Sequence, residues 1–492
     1  MLRRLAAAAL ALLLSGCAVL GPGPAPAPAD PAAQACLDWF ARVDEQVAVH
    51  GVHDAQSARL PGFPQLRIER FEAALRDRAA ADEAAFQAWL ARLAALGAQG
   101  QALELRRLPP AGLARLGLDR DAALARGYAC RHRLQQADAR PGPRRAALLA
   151  QARVPDAYST TARVAGLYAL TRWPFSAGVQ RWQQLTQAHF EATAAGQPAA
   201  WPLRRYRPEV SPGPDPAAEL AQAPRDALGV PQPGAALLQR LLQHHAPVLE
   251  VEDAGAFDRP GRALPGRGGA WALDTAQPTV YARVAHTLLQ GRPALQLVYL
   301  AWFSERPASG AFDLLAGRWD GLVWRVTLGP DGRPVLYDTI HACGCYHLFF
   351  PTPALQPRPA PAAGIEWVFA PAAAPLPRDG ERVVLRLASG SHYLVGLSAD
   401  PPGEGTAYAL RDEDELRGLP PAGAASDAAW LSFYGPEGLL PGSERAERWF
   451  FWPMGVPSAG AQRQWGHHAT AFVGRRHFDD ADLIDRRFEL RP

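Results

Sequence analysis

The chain of 492 residues contains no lysine and no asparagine, so all 51 of its basic residues are arginine. Without lysine there is no P-loop, no Ser-x-x-Lys dyad, no kinase β3 lysine and no Schiff-base chemistry. Losing both residue types together is the mark of GC-rich codon usage, so the abundance of arginine is not in itself a binding signal. Gly-x-Ser-x-Gly, His-Glu-x-x-His, Gly-x-Gly-x-x-Gly and Cys-x-x-Cys are all absent. The common hydrolase, zinc-protease, dinucleotide and dithiol templates therefore have no foothold. No apolar run reaches the 18 residues of a spanning helix, and no period of 20–50 residues recurs. With 51 bases against 48 acids there is no basic footprint for nucleic acid. What is present is globular composition, 48% hydrophobic and 20% charged, on a chain too long for one ordinary core.

The first 17 residues read MLRRLAAAALALLLSGC. Arg3 and Arg4 make a positive start, and Leu5 to Leu14 make an apolar run that would rise only about 15 Å as a helix, half a bilayer core. That is the pattern of a signal peptide rather than of a membrane span. The run ends in Leu14-Ser15-Gly16-Cys17, which resembles the lipobox of bacterial lipoproteins. The resemblance covers the leader alone. It implies a diacylglyceryl thioether on Cys17, cleavage before it, and acylation of the new terminus with a fatty acid such as palmitate. Three acyl chains exceed the two that stable anchoring needs. Ala18, rather than Asp, follows the lipidated cysteine, which by the family's sorting rule implies the outer membrane, with the body facing the periplasm.

Composition divides the remainder. Residues 18–34 alternate proline with small residues and are expected to form an extended tether. From 35 to 195 the apolar spacing is helical, as in Leu66, Ile68, Phe71 and Leu75 and in Phe86, Leu90 and Leu93. Thr161–Leu170 followed by Arg172-Trp173-Pro174-Phe175 is expected to pack into the core as a helix–turn–helix, in preference to resting on a membrane. Residues 196–235 are proline-rich and read as a linker. From 236 to 492, after a helix over Gly234–His245, the pattern is β. Expected hairpins join Val280–Leu288 to Ala294–Phe303, Trp319–Leu328 to Pro334–Thr339, and Glu381–Leu387 to His392–Leu397. The fold class expected is α+β and multidomain: an N-terminal all-α domain followed by a C-terminal β-rich, mostly antiparallel domain.

With Cys17 assigned to lipid, four cysteines remain for an oxidising compartment. Cys36 and Cys130 fall in predicted helices of one domain, and a bridge between them would close a loop worth up to about 4–5 kcal/mol; two buried thiols are the alternative. The least ordinary stretch is Ile340-His341-Ala342-Cys343-Gly344-Cys345-Tyr346-His347. As a strand it would put His341, Cys343, Cys345 and His347 on one face, a donor set suited to zinc or copper. A flat strand spreads these donors too widely, so a single site needs a bend, and Gly344 is where it would fall. A Cys343–Cys345 disulfide, pairing with Cys36 or Cys130, and plain core thiols are the competing readings. His286, His392, His467, His468 and His477 are further candidates to complete a site, each more simply an ordinary hydrogen-bonded histidine. Glu305, Asp313 and Asp320 lie near strands without declaring an acid–base pair.

The function expected is that of an exported, lipid-anchored envelope protein, a non-enzymatic module that binds a ligand or another envelope protein or acts as a scaffold, with a His/Cys metal site as a possible feature. The alternative is a metal-dependent hydrolase or a thiol enzyme built on the His341–His347 row. The residues leave open whether the protein is an enzyme.

Overall fold

The computed structural model describes residues 25–211, 213–266, 270–362, 364–421 and 428–491. The leader and Cys17 lie outside the described residues. The chain first forms helices α1 (Pro31–His50), a β1–β2 hairpin (Ala58–Leu60, Phe63–Ile68), α2 (Arg70–Ala74), α3 (Arg76–Ala81), α4 (Glu83–Arg107), α5 (Pro110–Leu116), α6 (Arg120–Ala139), α7 (Pro143–Gln151), α8 (Thr160–Ala165) and α9 (Tyr168–Ala194). Strand β3 (Leu203–Pro208), α10 (Ala217–Ala221), α11 (Ala235–His245) and β4 (Val248–Glu252) follow. Then come β5 (Arg262–Pro265), β6 (Trp271–Asp274), β7 (Thr279–Leu289), β8 (Arg292–Arg306), β9 (Gly317–Leu328), β10 (Pro334–His341), β11 (Leu348–Pro351) and β12 (Leu355–Pro357). The chain ends with β13 (Arg382–Leu387), β14 (Leu394–Asp400), β15 (Thr406–Asp412), α12 (Arg448–Phe451), α13 (Leu483–Arg487) and β16 (Phe488–Leu490).

Ten strands make one mixed sheet in the order β11-β10-β9-β8-β7-β15-β3-β4-β13-β14. Its hairpins sit where the turn chemistry places them. The β7–β8 turn holds Gln290 and Gly291 at φ +51° and +69°, the left-handed pair that a tight two-residue hairpin requires. Strand β8 is a nearly continuous apolar run because both its faces are covered. Leu295, Leu297, Tyr299 and Phe303 enter one core with Phe190 of α9 and Leu241 of α11. Val298, Leu300 and Trp302 enter a second core with Leu416, Phe433, Trp465 and Phe478. Fully burying each such side chain is worth about 1.5–3 kcal/mol.

The large sheet is mostly antiparallel, as expected, with parallel pairs where β15 meets β3 and β7 and where β13 meets β4. Three expectations change. The proline-rich stretch is more than a linker, since β3 pairs with β15 in parallel and with β4 antiparallel. The helical stretch contains the β1–β2 hairpin, and its last long helix, α9, packs on the sheet core through Phe190. Helix α1 begins inside the segment expected to be a tether. Pro28 is already buried, and Asp30 caps α1 by accepting from Ala32 N–H at 3.0 Å, with Pro31 at the first helical position.

A dense set of buried charges ties the helices to the sheet. Asp54 receives Arg67 and Arg417 at 3.3 and 2.7 Å, and Arg107 at 3.3 Å, while Glu104 receives Arg67 at 2.7 Å. Arg417 belongs to the turn after β15, so this junction spans more than 360 residues of sequence. Elsewhere in the helical region Cys36 of α1 and Cys130 of α6 form a disulfide, the pairing considered from sequence.

Candidate functional site

The stretch between β10 and β11 is a loop that folds back on itself, with the reversal at Gly344. Gly344 N–H donates to His341 C=O at 2.7 Å, and His341 N–H donates to Cys345 C=O at 3.0 Å. Gly344 makes the reversal with φ +92°, and a Cβ there would lie 2.5 Å from Ala469 C=O. Both requirements demand glycine. Tyr346 is also left-handed, at φ +62°, and His392 and Trp319 nearby share that conformation at +50° and +60°. Such strained non-glycine residues concentrate at functional sites.

The bend at Gly344 exists, yet it does not gather the four expected donors. His341 turns to Asp320 of β9, with Nδ1 3.4 Å from the carboxylate. His347 turns to Asp338 of β10, with Nε2 at 2.9 Å, and Asp338 also receives a bidentate Arg325. Cys343 and Cys345 are free thiols, so the alternative bridge between them is not formed. Among the described residues no group of three or more His, Cys, Asp or Glu side chains is placed to hold a metal ion. The donors are separated because each histidine finds a carboxylate on a neighbouring strand.

What the loop does line is a cavity of about 470 Å³, within the size range of small-molecule sites. Its walls are aromatic. Trp182 of α9 lies 5.3 Å from Tyr346 and 5.7 Å from Phe369, Tyr346 lies 4.6 Å from Tyr393, and Phe175 lies 5.1 Å from Phe451. A few polar groups break the apolar lining: Cys345, His347, Glu366, Glu447 and Arg476.

Their electrostatics are unusual. Burial pushes the Glu447 carboxyl up to about 7, with Arg445, Arg306 and Arg463 opposing the shift from a distance. No ion pair to Glu447 forms among the described residues. Glu366 is likewise raised by burial, although it accepts from the backbone N–H groups of Phe472 and Val473. The Cys345 thiol is held well above its ordinary value, first by its hydrogen bond to Cys343 and then by burial. Burial lowers His347 to about 3, so the ring is neutral despite Asp338, whose charge Arg325 already satisfies.

Behind the cavity runs a chain of alternating acids and histidines. His392 Nδ1 is 2.8 Å from Asp320, its Nε2 is 3.5 Å from Asp258, and Phe303 stacks on the ring at 3.9 Å. Burial opposes ionisation of Asp320, but His341 and His392 together hold it well below the usual carboxylate range. Burial also opposes the His392 cation, and its two carboxylates still raise it. The outer member, His341, packs edge-on against Tyr346 and Tyr393, and its buried Nε2 has no partner among the described residues. His347 Nδ1 is also buried and, among the described residues, unpartnered. A histidine fixed at one nitrogen and free at the other is the arrangement of a general acid or base, or of an orienting hydrogen-bond donor.

Of the remaining candidates, His286, His467 and His477 make their contacts elsewhere, while His468 lies against the Ala342 backbone of this stretch. His286 stacks on Phe71 and His467 bonds Ala55 C=O at 2.7 Å. His468 is buried and driven down to about 3 by desolvation, and His477 bridges Asp156 and Asp480. Of the carboxylates noted in the sequence, Asp320 is the pivot of the histidine chain, while Asp313 only caps its own loop at Ser309. The reading from sequence missed Trp182, Tyr393, Glu366 and Glu447, which reach the loop from distant segments. Tyr346 lay inside the conspicuous stretch, and its aromatic ring was the available signal. No protein-family model, no curated protein and no solved structure matches the chain.

Proposed function

We propose that the protein is a lipid-anchored envelope protein, held at the outer membrane through Cys17 and facing the periplasm, that binds a small, largely apolar ligand in the aromatic cavity. The observation that carries this reading is the cavity itself: aromatic walls interrupted by a few buried polar atoms that lack full partners. Buried polar groups are normally paired, so unpaired ones around a void fit contacts that a ligand completes. The leader supports the setting, and the absent catalytic motifs favour binding over turnover.

The test uses palmitate as the probe, read by displacement of the dye 8-anilinonaphthalene-1-sulfonate. One dye site per chain is expected, displaced by palmitate. Val179→Trp, which extends a wall residue of α9 into the space, is expected to weaken dye binding by about tenfold or more, a loss of about 1.4 kcal/mol. Equal dye binding by the parent and the variant would contradict a ligand site in this cavity. Acylation of Cys17 is read separately, as the mass of the mature N-terminal peptide.

A second reading, thiol chemistry, is favoured by one observation. Arg463 is buried with carbonyl oxygens as its hydrogen-bond partners, including Cys343 C=O at 3.1 Å, and its charge faces both sulfurs. The Cys345 N–H also points at Cys343 Sγ, at 3.4 Å. The Cys343 sulfur thus lies beside a guanidinium and a backbone donor, while Cys345 faces the cavity. The reaction class is exchange with a small disulfide. The two thiols give up two electrons and two protons, one intramolecular S–S bond forms, and the incoming disulfide leaves as two thiols.

A further inference from the structure

The segments expected to pack in the core are instead among the most exposed apolar surface of the molecule. Leu167, Leu170 and Trp173 are 64%, 68% and 53% exposed, and Trp449 and Phe450 are 69% and 59% exposed. The two stretches that carry them are neighbours. Ser159 N–H donates to Gly455 C=O at 2.7 Å, Arg163 Nε donates to Met454 C=O at 2.8 Å, and Phe175 packs on Phe451. Exposed apolar groups scattered singly are ordinary, whereas a contiguous cluster marks an interaction surface.

The chemistry of the cluster selects its partner. Residues 160–175 and 448–456 contain no acidic residue, and their charges are Arg163, Arg172 and Arg448. Arg163 is buried, leaving Arg172 and Arg448 partly exposed. Each sits over a tryptophan, Arg172 over Trp173 at 4.6 Å and Arg448 over Trp449 at 4.8 Å. Tryptophan beside arginine, with leucine and phenylalanine around it, is the composition of a surface that enters a bilayer at headgroup depth. Indole tolerates an environment wet at one end and apolar at the other, and arginine meets lipid phosphate. A protein partner of matching chemistry would have to cover indole and guanidinium together with an acidic, apolar face; an anionic bilayer offers that everywhere.

The position of the cluster adds to the case. Pro174, Phe175 and Val179, which continue the same helix, and Phe451, which continues the second stretch, line the aromatic cavity. The exposed surface is therefore continuous with the cavity wall. We infer that Leu167, Leu170, Trp173, Trp449, Phe450 and Trp452 form a docking face for an anionic phospholipid surface, which would bring the cavity against the bilayer. This inference deepens the binding reading, because a ligand could then pass between membrane and cavity.

The experiment uses the full chain, reconstituted in vesicles of phosphatidylethanolamine and phosphatidylglycerol with bromine near the glycerol end of the acyl chains. Bromine quenches indole at contact distance. The parent is expected to lose part of its tryptophan emission. A variant with Trp173→Phe, Trp449→Phe and Trp452→Phe, all at exposed positions, is expected to lose most of that quenchable component. In a second arm, Trp173→Glu with Trp449→Glu in a chain carrying Cys17→Ser should lower vesicle co-sedimentation by about tenfold or more. Equal quenching in the triple variant overturns the inference. So does undiminished co-sedimentation of the glutamate variant, or a parent that self-associates through this face without binding vesicles. Dye displacement from the cavity and acylation of Cys17 are separate readouts, so failure here is distinguishable from failure of the binding reading.

Discussion

Two of the regions where the molecule buries charge treat it in opposite ways. At the junction of helices and sheet, Asp54 and Glu104 are surrounded by Arg67, Arg107 and Arg417 at contact distance, and Arg59 adds a further partner to Glu104. Around the cavity, among the described residues, Glu447 has three arginines near it and none in contact, Arg463 has no carboxylate partner within ion-pair distance, and His341 and His347 each leave one nitrogen unpartnered. The same penalty, desolvation, acts on both regions. At the junction the arginines overcome it, so the Glu104 carboxyl is held far below its ordinary value. At the cavity it wins, and Glu447 rises to about 7. Pairing of this kind holds elements together; leaving charges unpaired lowers stability in exchange for a surface that can still react or bind.

The largest effect that would break this contrast belongs to the junction. Asp54→Asn leaves three buried guanidinium groups short of their carboxylate, and removing one partner of a buried ion cluster costs about 3–5 kcal/mol. Urea unfolding is the measurement. A loss under about 1 kcal/mol would mean that the junction is not held by its charges. The charge linkage there also has a definite direction. Asp54 and Glu104 are both depressed, so their contribution is present above the unfolded carboxylate value and is lost as the pH falls below it.

A smaller effect sharpens the other side of the comparison. If Cys343 and the cavity-facing Cys345 react as a pair, glutathione disulfide should consume both thiols together and leave a Cys343–Cys345 bridge. Cys345→Ser should then leave Cys343 able to form only a mixed disulfide, detected by mass. A stable mixed disulfide on both cysteines of the parent would instead show two independent thiols.

How much of this was legible in the sequence depends on how local each feature is. The β7–β8 and β9–β10 hairpins were readable because Gln290-Gly291 and Asp331-Gly332 carry their turn chemistry within a few residues. The pairing of Cys36 with Cys130 was at least reachable, since both lie on predicted helices of one stretch. Strand β3 was not, because Leu203-Arg204-Arg205-Tyr206-Arg207-Pro208 has little apolar alternation and its partners, β15 and β4, are supplied by distant chain. The loop over 341–347 stood out by composition, and the need for a bend at Gly344 followed from donor spacing alone. Its true partners did not follow. Asp338 reaches His347 through the β10–β11 hairpin and Asp320 reaches His341 across the β9–β10 register, so the row of donors dissolves into two carboxylate-bound histidines. Helix α8 and the start of α9 looked like core because apolar periodicity reports a buried face only when something covers it.

The contrast is tested most directly by the pH dependence of stability of the parent and Glu447→Gln, followed by urea unfolding between pH 5 and pH 8. Glu447 is raised from 4.5 to about 7 in the folded protein. Its folded form binds the proton more tightly than the unfolded chain, so its stabilising contribution is complete below about 4.5 and is lost as the pH rises through 7. The parent should therefore lose about 2–3 kcal/mol relative to Glu447→Gln over that interval, and at pH 8 the glutamine variant should be at least as stable as the parent. A Glu447→Gln protein that is destabilised at pH 8 as Asp54→Asn is would show that Glu447 is a paired structural charge, and the distinction between the two regions would fall.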